Sequence, residues 1–152
     1  FPEDSNNSIM FDTFDIRKGK RVAMVGFFGP LVNIFRERAV PLEIMDIARR
    51  LGRKEDFYAK LRNWAEVLFL TSTSLLNNTT EEILENTGKD VKTILLGPST
   101  PMVPEAFEYL PVHMLAGTVP MEKEKVLKAI RHGTGTPIIH KFSRKIFWVC
   151  PE

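Results

Sequence analysis

The stretch RVAMVGFFGPL, residues 21–31, decides the fold. Residues 21–26 are a short apolar run that ends in glycine, which is typical of a buried strand. Pro30 follows, and proline is favoured at the first position of a helix. Leu31 and Phe35 are then spaced for one face of that helix. A buried strand that leads directly into an amphipathic helix predicts the start of a βαβ unit.

The same alternation continues through the rest of the chain. Strands are predicted at residues 21–26, 40–47, 66–71, 91–96 and 112–116, and helices after Pro30, around the apolar stripe Phe57, Leu61, Trp64 and Ala65, from Thr79 to Gly88, at 104–110 and from Pro120 to Gly133. Thr79 and Glu82 have the spacing of a capping box. In the last helix Val126, Leu127 and Ile130 are predicted to face inward.

The C-terminal region has a different pattern. Two apolar stretches, residues 138–142 and 145–149, flank Ser143 and Arg144. This arrangement predicts an antiparallel hairpin that closes the chain.

Short apolar strands that alternate with helices favour a parallel sheet covered on both faces. We therefore expect an α/β fold: a Rossmann-like three-layer sandwich with a mostly parallel sheet and a C-terminal antiparallel hairpin. Residues 19–152 are predicted to form this domain. Residues 1–18 are expected to be an N-terminal tail or the remnant of an upstream domain, with Met10, Phe11, Phe14 and Ile16 packing one short segment onto the body.

Composition excludes several classes of protein. The formal net charge is +2 and the basic residues are scattered among acids, so no clustered basic face for nucleic acid is expected. No apolar run reaches the roughly 18 residues of a membrane helix. The polar, acidic N-terminus does not resemble a signal peptide, which predicts a cytoplasmic location. Cys150 is the single cysteine, so no internal disulfide is expected.

Small and hydroxyl-bearing residues follow several of the predicted strands. In an open α/β sheet, ligands bind outside the carboxyl ends of the strands, so these segments are expected to converge on one rim around one pocket. The predicted ligand-binding residues are Gly26, Phe27, Phe28, Gly29, Asp46, Thr71, Ser72, Thr73, Asn77, Asn78, Thr79, Gly97, Pro98, Ser99, Thr100 and Gly117. Among their polar side chains, Asn77, Asn78, Ser99 and Thr100 are expected to contact the ligand.

The first rim segment departs from the dinucleotide fingerprint G-x-G-x-x-G, because Phe28 stands where the second glycine would be. Standard binding of NAD by this turn is therefore not expected. Phe27 and Phe28 could stack on a ring or cover a partner, with at least one of them in the core. Asp46 lies 20 residues beyond Gly26, where an acid holds a ribose hydroxyl in nucleotide-binding Rossmann domains.

Metal-ligand spacing is not seen among His113, His132 and His140, and no catalytic triad can be assembled. Neither catalytic residues nor a cofactor are predicted. His132 precedes Gly133 at a predicted helix end, where a capping role fits the helix dipole.

The ordered rim motifs, residues 26–31, 65–67 with 71–79, 96–101 and 115–119, resemble the family described as putative heavy-metal chelation. The resemblance runs from about Asp15 to Phe142. It implies a Rossmann-like C-terminal domain that follows a small N-terminal α/β domain in longer relatives, with the site in the cleft between them. A second copy or a separate chain would then supply the missing wall here. Asn78 stands where the family often has glycine.

Three functions remain open. The resemblance implies a protein of metal homeostasis that binds a metal complex or a small chelator. Asp46 and the first rim segment favour an enzyme that uses a nucleoside cofactor such as S-adenosylmethionine. The Phe27–Phe28 pair favours an interaction module, and an exposed pair also predicts a homodimer.

Overall fold

The computed structural model describes residues 1–3 and 6–151. Within these residues six strands form one sheet in the order β2-β1-β3-β4-β5-β6. The strands are β1 (Val22–Val25), β2 (Leu42–Met45), β3 (Val67–Thr71), β4 (Lys92–Leu96), β5 (Met114–Pro120) and β6 (Ser143–Val149). The helices are α1 (Ser8–Thr13), α2 (Gly29–Glu37), α3 (Lys54–Asn63), α4 (Thr73–Leu76), α5 (Thr80–Glu85), α6 (Lys123–Arg131) and α7 (Thr136–His140), with a 3₁₀ turn at Pro104–Phe107.

The first five strands are parallel, and only β6 runs antiparallel, beside β5. The chain moves from β1 outward to β2 and then returns past β1 to β3. Connections therefore reverse direction between β1 and β3, the place where open α/β sheets form a ligand crevice. The predicted α/β class with a mostly parallel sheet is confirmed.

Successive residues of a strand point to opposite faces of the sheet. Both faces are apolar here, and helices cover each of them. Val22 and Met24 belong to one buried cluster, with the apolar residues of α1 and α2. Ala23 and Val25 belong to a second cluster, with residues of α3, α5 and the 3₁₀ turn. The sheet thus lies between two apolar layers, as the sandwich prediction required.

Residues near the N-terminus contribute to the first of these clusters. Met10, Phe11, Phe14 and Ile16 are all less than a tenth exposed and pack with the sheet residues. The backbone N–H of Phe147 donates to the carbonyl of Pro2 at 3.0 Å. The predicted packing of this segment onto the body is therefore confirmed.

The C-terminal antiparallel pair is confirmed, but its strands differ from those predicted. Residues 138–142, expected as the first strand of the hairpin, are mostly helical, and the partner of β6 is β5. Pro137 occupies the first turn of α7, where its fixed φ favours a helix and its missing N–H costs nothing. Apolar content alone did not distinguish this short helix from a strand.

Three other assignments were also wrong. Pro120 ends β5 instead of opening a helix, and α6 begins only at Lys123. The second strand is shorter than predicted, because the chain turns after Met45 and leaves Ile47 81% exposed. Residues 71–79, expected as a loop, contain the one-turn helix α4.

The capping box and one predicted core position are also wrong. Thr79 is the N-cap of α5 without a side-chain capping bond; its hydroxyl donates to the carbonyl of Ser74 instead. Glu82 accepts a hydrogen bond from Tyr58 and pairs with Lys54. Ile130 is 57% exposed, since α6 buries Val126 and Ala129 on its inner face.

No helix in the described part of the chain is long and apolar enough to cross a membrane.

Candidate ligand-binding site

A cavity of about 540 Å³ lies on the face of the sheet that carries the first core cluster, here called the first face, beside the carboxyl ends of β1 and β4 and the middle of β5. Its floor includes Leu96, Ala116 and Phe147, which belong to the first core cluster. The connections after β3 and β4 contribute residues to the opposite cluster. These connections therefore leave the first face uncovered over β4 and β5. The cavity lies there, between α1, α7 and the start of α2.

Part of the predicted rim lines this cavity. The predicted residues among its lining are Phe27, Phe28, Gly29, Gly97, Pro98 and Gly117. The segments that follow β1 and β4 and the middle of β5 are thus brought together around one space; the first two are strand ends, where ligands bind in a parallel sheet.

The two phenylalanines are half-buried and pack against the first core cluster. Phe28 is the N-cap residue of α2. Phe27 carries the guanidinium of Arg49 over its ring, with 4.5 Å between the Arg49 Cζ and the ring centroid. The pair therefore forms an apolar wall of the cavity and is not a freely exposed patch.

The segment after β3 supports the rim and does not line the cavity. The hydroxyls of Ser72 and Ser99 lie 2.9 Å apart, which ties this segment to the one after β4. Gly97 has φ +140°, and a Cβ there would lie 2.5 Å from the Ser72 Oγ. Thr71 and Thr73 share a hydroxyl hydrogen bond of 2.9 Å. These contacts hold the backbone of Gly97 and Pro98 in place.

Other predicted residues also lie outside the cavity lining. Asn77 ends α4, and its N–H donates to the carbonyl of Thr73 at 3.0 Å. Asn78 has φ +56°, a left-handed conformation that asparagine tolerates. Both asparagines are exposed. Thr100 is buried, and its Oγ1 is without a hydrogen-bond partner among the described residues. Gly26 turns the chain at φ +90° just before the lining begins.

Asp46 organises the segment that carries Arg49. Its Oδ1 accepts a hydrogen bond from the Arg49 backbone N–H at 3.1 Å, and its Oδ2 lies 3.9 Å from the Arg49 Nε. Reciprocal backbone hydrogen bonds with Leu51, both 3.0 Å, close the loop. The carboxylate is therefore engaged by its own loop, and Arg49, not Asp46, is the residue that lines the cavity.

Sequence reasoning missed the opposite wall. The unpredicted lining residues are Asn7, Met10, Pro30, Leu31, Arg49, Leu96, Ala116, Thr118, Thr136, Pro137, His140, Lys145 and Phe147. Several belong to α7 and β6, the region expected as a hairpin. The signal available was Gly135-Thr136-Pro137, because proline at a first helical turn predicts a helix there.

The pairing of β5 with β6 explains how two of these residues reach the cavity. Lys145 pairs with Thr118 and Phe147 with Ala116, and all four line the cavity. Alternate residues of a strand share one face. Lys145 is therefore on the core-facing side of β6, two positions from buried Phe147. Its Nζ donates to the Asn7 Oδ1 at 3.3 Å.

The cavity is lined by basic groups. Arg49, His140 and Lys145 contribute to its lining, whereas none of the described lining residues is Asp or Glu. Burial, and then the charge of Lys145, lower the pKa of His140 below its ordinary value of 6.5. The neutral imidazole is thus favoured at neutral pH, and acidification would add a positive charge to this wall.

The lining does not fit a bare heavy-metal ion. Met10 and His140 supply a thioether and an imidazole, but a divalent ion is normally held by three or more thiolate, imidazole or carboxylate ligands. In the described ranges no group of three or more His, Cys, Asp or Glu side chains is placed to hold a metal ion. Arg49 and Lys145 would also repel a free cation.

The fold and this cavity define a class: a Rossmann-like α/β domain with a small-molecule-sized space at the carboxyl ends of its strands. A family model described as "Putative heavy-metal chelation" matches residues 9–149. The chain belongs to this family, DUF364.

Solved structures of the family share the fold. A DUF364 protein of unknown function from Desulfitobacterium hafniense aligns with a TM-score of 0.77 at 19% identity, covering 97% of this chain and 59% of that one. A second, from Pyrococcus horikoshii, aligns with a TM-score of 0.74 at 20% identity, covering 86% and 54%. An uncharacterised protein of Methanocaldococcus jannaschii is 24% identical over 132 residues, 83% of this chain and 51% of its own length. The chain therefore spans little more than half the length of these relatives.

Proposed function

We propose that this domain binds a small molecule or a metal complex in the cavity, as part of metal homeostasis in the cytoplasm. The observation that carries the proposal is the cavity itself: about 540 Å³, at the carboxyl ends of β1 and β4 and beside β5, in a member of a family described as "Putative heavy-metal chelation". Its volume lies within the roughly 300–1,000 Å³ of known small-molecule sites.

Metal would reach this site already bound by an organic chelator. The lining lacks the clustered donors for a bare ion, as described above, whereas apolar walls and polar edges suit an organic ligand. The chelator, and not the protein, would supply most of the metal's ligands. Binding of a metal complex agrees both with the family's description and with a lining that offers few metal ligands.

The alternative of a nucleoside cofactor depended on Asp46 as a ligand-binding residue. Asp46 accepts the Arg49 N–H and does not line the cavity. The interaction-module alternative relied on an exposed Phe27–Phe28 pair, and both rings are half-buried against the core. We therefore favour ligand binding over both.

We further propose that the cavity is completed by another polypeptide, either a second copy of this chain or a separate N-terminal domain. The relatives are nearly twice as long as the segment they share with this chain. Light scattering of the purified protein would detect a homodimer.

Native mass spectrometry combined with metal analysis of the purified protein tests the proposal. Gly29→Trp is the blocking variant, because Gly29 lines the cavity and a Cβ there makes only an ordinary contact, 3.6 Å from Phe27. Asn33→Trp, at an exposed position on the same helix, is the matched control. We expect an organic adduct with its metal in the wild type and in the control but not in Gly29→Trp. Metal retained without an organic adduct, equally in all three proteins, would contradict the proposal.

A further inference from the structure

The charge of the cavity lining differs from that of the whole chain. The sequence has 21 Lys and Arg residues against 19 Asp and Glu residues, so a surface chosen at random would contain both signs. The lining contains Arg49 and Lys145 together with His140, and none of its described residues is acidic. This imbalance is a property of the site and not of the composition.

Each cation is placed by a specific structural feature. Lys145 is on the core-facing side of β6, beside Thr118 and two residues from buried Phe147. Lys145 is half-buried at this position, whereas lysine side chains are mostly exposed in folded proteins. Its contact with Asn7, which also lines the cavity, keeps the Nζ at this wall.

Arg49 approaches from the opposite edge of the sheet, on the loop that follows β2. Asp46 accepts its backbone N–H, and the left-handed Arg50 and Gly52, at φ +55° and +71°, shape the loop. The Arg49 guanidinium is thereby held over the Phe27 ring at 4.5 Å. A guanidinium fixed on an aromatic wall can bind an anionic group while the ring contacts the apolar part of the same ligand.

From this arrangement, and on the basis of the proposed function, we propose that the ligand is an organic anion with a flat apolar body. Its body would lie against Phe27, Phe28 and Pro98, and its negative charge would be bound by Arg49 and Lys145. Aromatic carboxylates, sulfonates and phosphates have this chemistry, as do anionic metal chelates. Neutral molecules of the same shape would bind more weakly, and cations would be repelled.

A pair of fluorescent probes tests this assignment. 8-Anilinonaphthalene-1-sulfonate and N-phenyl-1-naphthylamine share one ring system, and only the first is charged. We expect the sulfonate to bind the wild-type protein more tightly than the neutral probe. Arg49→Met and Lys145→Met should each weaken sulfonate binding roughly five- to tenfold, the size expected for one charge-assisted contact. The affinity of the neutral probe should stay unchanged.

Controls separate a specific charge from general electrostatics and from misfolding. Arg53→Met and Lys141→Met remove one exposed charge each, outside the cavity lining, and should leave both affinities unchanged. Lys145→Arg keeps the charge and should retain sulfonate binding. Cooperative thermal unfolding of each variant confirms that it is folded.

The outcomes distinguish this inference from the proposed function. If Gly29→Trp abolishes binding of both probes while Arg49→Met and Lys145→Met change neither affinity, the cavity binds ligands without selecting anions, and the present inference is overturned. If Gly29→Trp leaves both affinities unchanged, the probes bind elsewhere and the cavity function itself fails.

Discussion

The Asp46 carboxylate accepts a hydrogen bond from the backbone N–H of Arg49, with 3.1 Å between Oδ1 and N. The acid that sequence spacing assigned to a ribose hydroxyl therefore holds a basic residue in position at the cavity. This contact makes Asp46 a positioning residue, which acts on a ligand only through Arg49.

Substitution of Asp46 tests that role. In Asp46→Ala the loop loses its side-chain acceptor, and we expect the affinity for the sulfonate probe to fall about as far as in Arg49→Met. Asp46→Asn retains an oxygen that can accept the N–H, so its affinity should stay at or above that of the wild type. Fluorescence titration measures both. Equal losses in the two variants would indicate that the charge of Asp46, and not its hydrogen bond, is what matters.

Sulfonate binding should strengthen in mild acid because of His140. Burial and the charge of Lys145 lower the pKa of this residue below 6.5, so it gains its proton as pH falls below that value. The added charge, near Arg49 and Lys145, favours an anion, and the probe's sulfonate stays ionised. We expect affinity to rise roughly two- to fivefold between about pH 7.5 and about pH 5.5. His140→Asn should abolish this rise; a persistent rise in that variant would assign the proton to another group.

A second histidine makes the fold itself sensitive to acid. The Thr93 N–H donates to the His113 Nδ1 at 3.0 Å, a bond that requires this nitrogen to be unprotonated. Burial, and then the charge of Lys92, lower the pKa of His113 below 6.5. The folded state therefore binds its proton less readily than the unfolded state, and this contribution to stability is present above pH 6.5 and lost as pH falls below it.

His113→Asn tests this contribution, since the amide oxygen can accept the Thr93 N–H without titrating. Urea unfolding at about pH 7.5 and about pH 5.5 should show a smaller acid-induced loss of stability in the variant than in the wild type. An identical loss in both proteins would show that His113 does not contribute.

Gly97 is expected to tolerate no side chain. A Cβ there would lie 2.5 Å from the Ser72 Oγ, and φ is +140°, so Gly97→Ala combines backbone strain with a steric clash. We expect a loss of about 2–3 kcal/mol in the free energy of unfolding. Gly29→Ala, whose Cβ would meet its nearest neighbour at 3.6 Å, is the control and should lose nothing. Chemical denaturation compares the two, and equal stabilities would refute the assignment of strain to Gly97.

Much of the fold could be predicted because hydrophobic periodicity reports burial directly. β1, β3 and β4 are apolar and buried on both faces over most of their length, and the clusters around Val22 and Ala23 show why such runs are continuous. The errors occur where local signals compete. Apolar residues 138–142 fit either a strand or a short helix, and the β6 pairing partner, β5, is separated from it by α6 and α7.

The site was predictable only on one side. Strand-end reasoning finds Phe27, Gly97 and Gly117, since parallel strands end at one edge of the sheet. It cannot find Lys145 or His140, because their position depends on the antiparallel register of β6 and on the placement of α7. Strand-end reasoning also cannot predict the hydrogen bond between the Ser72 and Ser99 hydroxyls. The hydroxyl of a rim residue is equally suited to a hydrogen bond with a ligand or with a neighbouring loop.

We propose that ligand binds in the cavity bordered by α2, α7, the end of β4 and the middle of β5. The most direct test is a ¹H–¹⁵N NMR titration of the protein with 8-anilinonaphthalene-1-sulfonate. We expect the amide signals of Gly29, Gly97 and Gly117 to shift with ligand, while those of exposed Asn77 and Asn78 stay in place. Shifts confined to Asn77 and Asn78, with the three glycine signals unchanged, would contradict it.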